Sequence, residues 1–255
     1  ENGSMAKWVA THKPDIWVHH HHFMDGFRSP NYDLNKAYDV GVGPLTELIF
    51  SLKQAGCKGV IHSGSYFEPN ERALKRGNVN SPYAAAKAQV GSELIKRCDQ
   101  VSLPLGKIVI PNPVGPLENH DRLVPSLIRA AYSRLGFSLR AKDNEADNVP
   151  VEEIANCYKI LAERILDNDF SEMILRPTCG PMTNQDLITL ALMPLIKRGL
   201  SLELPDLKFA GAAIPAIKLN HRSWNPLRPD WIGFWLNYAR EVNRKDFFAS
   251  LGNYM

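Results

Sequence analysis

Tyr83 and Lys87 stand four residues apart in Ser81-Pro82-Tyr83-Ala84-Ala85-Ala86-Lys87, at the front of a segment that reads as a helix. Side chains at i and i+4 share a helix face, so the phenol and the ammonium can point into one site. A free tyrosine has a pKa of roughly 10 and is a poor base at neutral pH. A cation beside it favours the phenolate and brings it toward the range in which it exchanges a proton with an alcohol or carbonyl. Two hydroxyls precede the pair in Ser63-Gly64-Ser65, at the end of the apolar run Gly59-Val60-Ile61-His62. A later apolar run, Lys107-Ile-Val-Ile, leads into Pro111-Asn112-Pro113-Val114-Gly115-Pro116. In a chain with 8 tyrosines a bare Tyr-x-x-x-Lys match arises by chance roughly 0.5 times, so the order of segments carries more weight than the motif.

That order needs elements to hold it. Pro14 to His22 reads as a short buried strand running into a turn. Leu45, Leu48, Ile49 and Leu52 fall at helical spacing; Gly41 and Gly43 interrupt the front, so a regular helix is expected from Pro44 to Gly56. Gly59–Ser63 is a second strand and Lys107–Pro111 a third. Between them Ser81 caps a helix whose first turn takes Pro82 and which runs to about Arg97. Further helices are expected at about 124–135, 151–167 and 184–198, with a strand at Met173–Arg176 and a last helix near Trp231–Phe248. Trp231, Phe234, Trp235 and Tyr238 there follow the spacing of one buried face. Strands alternating with helices indicate βαβ units and a parallel sheet covered on both faces. Open sheets of this kind bind ligands at their carboxyl edge, where Ser63, Ser65 and the segment after Pro111 would lie. The domain boundary is expected near residue 115.

The 255 residues are 44% hydrophobic and 22% charged, which excludes collagenous, low-complexity and wholly disordered chains. With 30 basic against 27 acidic residues the net charge is +3, too mild to argue for nucleic acid or a membrane surface. Cys57, Cys98, Cys157 and Cys179 are scattered, without the short spacing of a zinc or redox motif, and suit a reducing compartment. No apolar run is long enough to span a bilayer, and no basic-then-apolar leader opens the sequence; a cytoplasmic protein is expected.

The ordered segments resemble the extended short-chain dehydrogenase/reductase family, the nucleotide-sugar epimerases and dehydratases. Ala55 to Ser63 looks like the strand leading to that family's catalytic Ser/Thr, Tyr83 and Lys87 match its catalytic pair, and Asn112-x-x-Gly115-Pro116 is similar to its Asn-x-x-Gly-Pro segment. Ala146 to Ala155 looks like its Arg-Asp-Tyr-Ile-His-Val-Asp-Asp segment, with several substitutions. The resemblance implies an α/β, Rossmann-like, doubly wound parallel sheet in residues 1–115, with a smaller substrate-binding portion in 116–255. It implies NAD or NADP as cofactor and a nucleotide sugar as substrate. Tyr83 would be the general acid/base, and Lys87 would bind the nicotinamide ribose. Ser63 or Ser65 would hold the substrate hydroxyl; an ungapped match places Gly64 at the hydroxyl position, which favours its neighbour Ser65. Pro111 and the histidine run, represented by His20, would line the cofactor edge, and Asn112 would contact substrate. Family members often pair through the helix of Tyr83 and its neighbour, which leaves a homodimer open.

Two departures stand out. No Gly-x-x-Gly-x-x-Gly segment follows a first strand, and the sequence opens about where the family's fourth strand approaches. Gly41 occupies a position where the family commonly has an active-site Asn. These departures keep a second reading open, a non-catalytic nucleotide-sensing or protein-binding module on the same fold. His19 to His22 read less well as a metal site: alternate strand residues face opposite sides, so at most two would converge on one ion. Arg122, Arg176 and Arg222 could grip a diphosphate with their forked donors, and Arg122 is the favoured one of the three.

Overall fold

The computed structural model describes residues 3–27, 29–69, 71, 81–119, 121–132, 137–140, 142–197, 207–210, 225–226, 234–235 and 238. These fall into two compact units. The first comprises Glu1–Pro111, Ala155–Pro177 and Leu219–Asn225, the second Asn112–Ile154, Thr178–Lys218 and Pro226–Met255. In chain order the first unit runs α1 (Gly3–His12), β1 (Ile16–His19), α2 (Leu34–Gly41), α3 (Leu45–Ala55), β2 (Gly59–Ser65), α4 (Pro82–Gln100) and β3 (Leu105–Ile110). The second unit opens with β4 (Asn112–Val114), α5 (Leu123–Tyr132), β5 (Phe137–Arg140), β6 (Glu145–Ala146) and β7 (Asn148–Pro150). Helix α6 (Val151–Leu166) leads to β8 (Ile174–Leu175) of the first unit, and β9 (Pro177–Thr178) follows. Then come β10 (Met182–Thr183), α7 (Asn184–Lys197), β11 (Leu207–Ala210) and β12 (Asn225–Pro226).

The first unit is built on a four-stranded sheet, β1-β2-β3-β8, in which every pairing is parallel. Period-two alternation sorts the apolar residues of β2 and β3 to two faces. Val60 packs with Leu45, Leu48, Ile49 and Leu52 of α3 and with Leu94 and Cys98 of α4. On the other face Ile61 and Ile108 pack with Cys157, Leu161 and Ile165 of α6. Helices on both faces of a parallel sheet make the unit Rossmann-like, and β2, buried at all seven positions, runs through its middle.

Local chemistry sets the element ends. Gly56 stops α3 in the left-handed conformation at φ 85°, its N–H bonded to Leu52 O and Lys53 O. Ser81 caps α4 by accepting from Ala84 N at 3.2 Å, with Pro82 in the first turn. Three expectations need correction. The strand expected over 14–22 is only Ile16–His19; paired with β2 alone among the described residues, it buries His19 but leaves Val18 exposed. Residues 3–12, given no element by the sequence reading, form α1, which carries Val9 into the core beside α3. The irregular lead-in to α3 contains a separate helix, α2, capped by Asp33 accepting from Lys36 N at 2.9 Å.

Gly41 and Gly43 explain that last miss, because they serve close packing. A Cβ at residue 41 would sit 2.6 Å from Val90 Cγ2 of α4, and one at residue 43 would sit 2.5 Å from the Asp39 carbonyl oxygen. An Asn at position 41 therefore has no room against α4.

The expected helix ends at 133–135 and 198 lie outside the described residues, as do Trp231 and 239–248. Phe234, Trp235 and Tyr238 are helical and buried, and pack with Val124, Ile128 and Leu187 of the second unit. All four cysteines are free thiols. Among the described residues no helix is long and apolar enough to cross a membrane.

The fit of α2 against α4 can be measured. Gly41→Asn should lower the unfolding free energy by about 1–3 kcal/mol, the usual cost of overpacking, read from urea denaturation; an unchanged midpoint would contradict this packing.

Candidate functional site

Tyr83 is the second residue of α4, and Lys87 lies one turn on. The Tyr83 ring sits in an aromatic pocket, 5.1 Å from the His22 ring, 5.6 Å from Phe27 and 5.9 Å from Tyr32. Neither its hydroxyl nor the Lys87 ammonium makes a hydrogen bond to a described residue. Lys87 stands among histidines: its charge helps to depress the pKa of His19, His20, His22 and His62. Burial lowers the pKa of Lys87 itself, against the pull of Glu68. The expectation that a neighbouring cation brings Tyr83 toward phenolate needs correction. Burial first, and then the Glu68 carboxylate, raise this phenol above 10.

The histidine run does not remain in the strand, so its members part. His19 and the cross-strand His62 share a face of the sheet, their rings 6.2 Å apart. Gly91 of α4 makes room for the His62 ring, since a Cβ there would lie 2.9 Å from His62 Nε2. His20 follows β1 and reaches Ser63, with Nδ1 2.8 Å from Oγ. Tyr158 of α6 completes that contact, its hydroxyl 2.6 Å from Ser63 Oγ. Ser65 sits in a turn where its N–H donates to Glu68 Oε1 at 2.7 Å and its Oγ accepts from Phe67 N at 3.2 Å.

Glu68 belongs to a charged network that sequence reasoning missed. Lys107 Nζ donates to Glu68 Oε2 at 2.7 Å and to Glu71 Oε1 at 3.1 Å, and Arg176 holds Glu71 with Nε 2.8 Å from Oε2. This network explains Gly64: a Cβ there would run into Lys107 Cε and lie 3.0 Å from Glu68 Oε1. Arg176, offered as a diphosphate ligand, is instead part of this ion pairing, and Arg222 lies outside the described residues. The spacing Ser65-x-x-Glu68 was a usable signal, because a glutamate three residues on can reach back to the N–H of a turn-starting serine.

The site thus gathers Tyr83, Lys87, His20, Ser63 and Ser65 in the first unit. Pro111 ends the first stretch of that unit, directly after β3. Asn112 and Arg122 belong to the second unit, where they meet: Arg122 donates to Asn112 Oδ1, and Asn112 Nδ2 to Asn148 Oδ1. Arg122 Nε also pairs with Glu118 at 2.8 Å. These residues line a cavity of about 380 Å³ together with Phe137, Leu139 and Leu187. Glu118, kept there by Arg122 and by the Tyr238 hydroxyl at 3.1 Å, was not anticipated from the sequence.

A dinucleotide's nicotinamide end fits the donors of the first unit. His19 Nε2, His22 Nδ1 and both nitrogens of His62 are buried with no partner among the described residues, and the Lys87 ammonium has none there either. Each neutral ring offers one N–H, and the Lys87 ammonium offers more; ribose hydroxyls, a carboxamide and phosphates carry acceptor oxygens for them.

Parallel sheet, flanking helices and a polar cluster at the carboxyl edge define a dinucleotide-fold protein. The model of the NAD dependent epimerase/dehydratase family matches residues 1–170, about two thirds of the sequence, and the chain belongs to that family. Among solved structures it is similar to the UDP-glucose 4-epimerase of Thermus thermophilus, solved with NAD, at 15% identity and a TM-score of 0.67. That match covers 94% of this chain and 82% of the other. The UDP-glucose-4-epimerase of Stenotrophomonas maltophila, with NAD and formylated UDP-arabinopyranose, matches at 15% identity and a TM-score of 0.73, over 96% and 81%. RMD of Pseudomonas aeruginosa, complexed with NADPH, matches at 14% and 0.72, over 95% and 85%. At such identities the likeness speaks for the fold. No curated protein matches the sequence.

The buried histidines set an acid limit on stability. Burial holds His19 and His22 down at about 4, and His62 well below the ordinary 6.5. Above pH 6.5 folded and unfolded chains are both neutral at these rings, and stability is full. Between 6.5 and about 4 only the unfolded chain takes up the protons of His19 and His22, so stability falls, and below that range the loss from these two rings is complete. Thermal melts should show Tm dropping across pH 6.5 to 4, with a shallower drop in His19→Gln; a flat profile would contradict neutral buried histidines.

Proposed function

We propose that the protein is an NAD(P)-dependent enzyme acting on a nucleotide sugar as an epimerase or dehydratase, with Tyr83 as the proton-transfer residue. The observation that carries this reading is the Tyr83–Lys87 face at the start of α4, with both polar ends unbonded to any described residue and set among buried histidines. The NAD or NADPH and the nucleotide sugars bound by the structural neighbours support it. A bound nicotinamide supplies hydride exchange with a carbinol carbon.

The chain's own residues supply the rest. Tyr83, protonated at rest, donates to a carbonyl oxygen as it becomes an alcohol, and takes the proton back in the opposite direction. The Lys87 ammonium favours the phenolate left behind and can bind a ribose hydroxyl on the same face. The Ser65 hydroxyl proton is free to meet a substrate oxygen, while its acceptor side holds the turn. Asn112 and Arg122 present amide and guanidinium donors to the cavity of the second unit, which suits a nucleotide diphosphate. Glu118 already shares Arg122, so a phosphate there competes with a carboxylate.

A second reading, a nucleotide-holding module without turnover, is favoured by one observation: the Tyr83 phenol is raised, not lowered. The two diverge in assay. With UDP-glucose and related nucleotide sugars offered alongside NAD⁺ or NADP⁺, the enzyme reading expects turnover that falls by about a hundredfold or more in Tyr83→Phe. Full turnover in Tyr83→Phe would remove the tyrosine from the mechanism, and its absence in the wild type would favour the module. In the direction that needs a base, the rate should rise about tenfold per pH unit between 7 and 9, because a phenol titrating above 10 is deprotonated in that proportion.

A further inference from the structure

Three side chains from separate elements of the first unit converge behind the cofactor edge. Ser63 Oγ lies 2.8 Å from His20 Nδ1 and 2.6 Å from the Tyr158 hydroxyl, which is itself 3.4 Å from the same His20 nitrogen. His20 follows β1, Ser63 is in β2 and Tyr158 is in α6. Ser63 is only 2% exposed, and both its neighbours are polar. It is therefore too enclosed to act as a nucleophile or to meet a substrate hydroxyl.

The direction of the hydrogen bonds follows from chemistry. A phenol is a better donor and a poorer acceptor than an aliphatic hydroxyl, since its lone pair is delocalised into the ring. Tyr158 accordingly donates to Ser63, which leaves the Ser63 proton for His20 Nδ1; bonds running one way polarise and strengthen one another. Burial raises the Tyr158 phenol above 10, so its proton stays in place. Burial first, and then the charge of Lys87, keep His20 below 6.5, so at pH 7 the ring carries a single N–H. With Nδ1 accepting, that hydrogen is on Nε2. The His20 side is exposed, and Nε2 has no partner among the described residues.

We propose that His20 is a ligand-binding residue whose Nε2–H donates to an acceptor oxygen of the bound dinucleotide, and that Ser63 and Tyr158 are positioning residues that fix its tautomer. The ligand rests on the function proposed above, but the tautomer does not. Sequence spacing could not bring Tyr158 to this place, 95 residues from Ser63. Its position beside Ile154, Cys157, Leu161 and Ile165 on the inward stripe of α6 does carry a signal, because a tyrosine among core residues needs a partner for its hydroxyl.

The test is ¹⁵N NMR of the full chain labelled at histidine, with His20 assigned by loss of its signals in His20→Gln, alongside calorimetric titration of NAD⁺. The expected resting state is the neutral Nε2–H tautomer, shifting to a mixture in Tyr158→Phe and Ser63→Ala. NAD⁺ should perturb the His20 resonances and UDP-glucose should not. Affinity for NAD⁺ should fall about tenfold in His20→Leu and in Tyr158→Phe, the worth of one hydrogen bond. His20→Gln should recover most of it, because its amide N–H can stand where Nε2–H stood. An Nδ1–H tautomer in the wild type, or undiminished affinity in His20→Leu, would overturn the proposal. A perturbation by UDP-glucose instead of NAD⁺ would overturn the assigned ligand. No NAD⁺ binding by the folded wild type would overturn the proposed function and the ligand with it, while the tautomer still decides the positioning roles.

Discussion

The first unit depends on one awkward requirement: β2 is buried on both faces yet carries His62, Ser63 and Ser65. A buried polar group without a partner costs about 1–3 kcal/mol, so each of these must be answered from a neighbouring element. Alternation sends Ser63 toward α6, where Tyr158 and His20 meet it, and sends His62 toward α4, where Gly91 leaves it space. Ser65, at the strand's end, is taken up by its own turn and by Glu68. Among the described residues, His62 keeps both ring nitrogens unanswered. A strand chosen for stability alone would place valine or isoleucine at these positions. Polar residues concentrated at its carboxyl end instead supply the donors of the candidate site.

The same strand explains why glycine recurs nearby. Gly41 lets α2 approach α4, Gly91 admits the His62 ring, and Gly64 lets the stem of Lys107 and the carboxylate of Glu68 pass over the strand. Each position exchanges a side chain for proximity. At Gly64 the exchange is chemical, because the space a hydroxyl-bearing side chain would fill holds a carboxylate paired with a lysine. The position at which the sequence resemblance expects serine or threonine is thus closed to any side chain by an ion pair.

Much of this was legible in the sequence because it was local. Ser81-Pro82 fixed the start of α4, Gly56 the end of α3, and the Tyr83–Lys87 spacing their common face. Ser65 and Asn112 could be placed at strand ends on the same grounds. What escaped was long-range or masked by composition. Gly41 and Gly43 read as helix breakers, though they act by packing against Val90 and the Asp39 carbonyl, contacts no local pattern contains. The pairings of Lys107 with Glu68 and of Arg176 with Glu71 depend on the register of β3 and β8. The four histidines read as one run because periodicity assumes a continuing strand, whereas β1 stops at His19 and the chain turns.

The electrostatics of the site follow from where its acids sit. Glu68, 4% exposed, is held by Lys107 and by the Ser65 N–H, so its charge cannot swing away from Tyr83 and Lys87. It acts on the two in opposite senses: it keeps the phenol protonated, which opposes base chemistry, and keeps the lysine charged against burial, which promotes it. The neutral histidines beside Lys87 offer donors without adding further positive charge. A resting site of this kind is biased toward the acid half of proton transfer, and only additional positive charge near Tyr83 could redress the bias. On the function proposed above, charge brought by the ligand sets the direction of proton transfer at Tyr83, while α4 and β2 already hold Tyr83, Lys87 and Ser65.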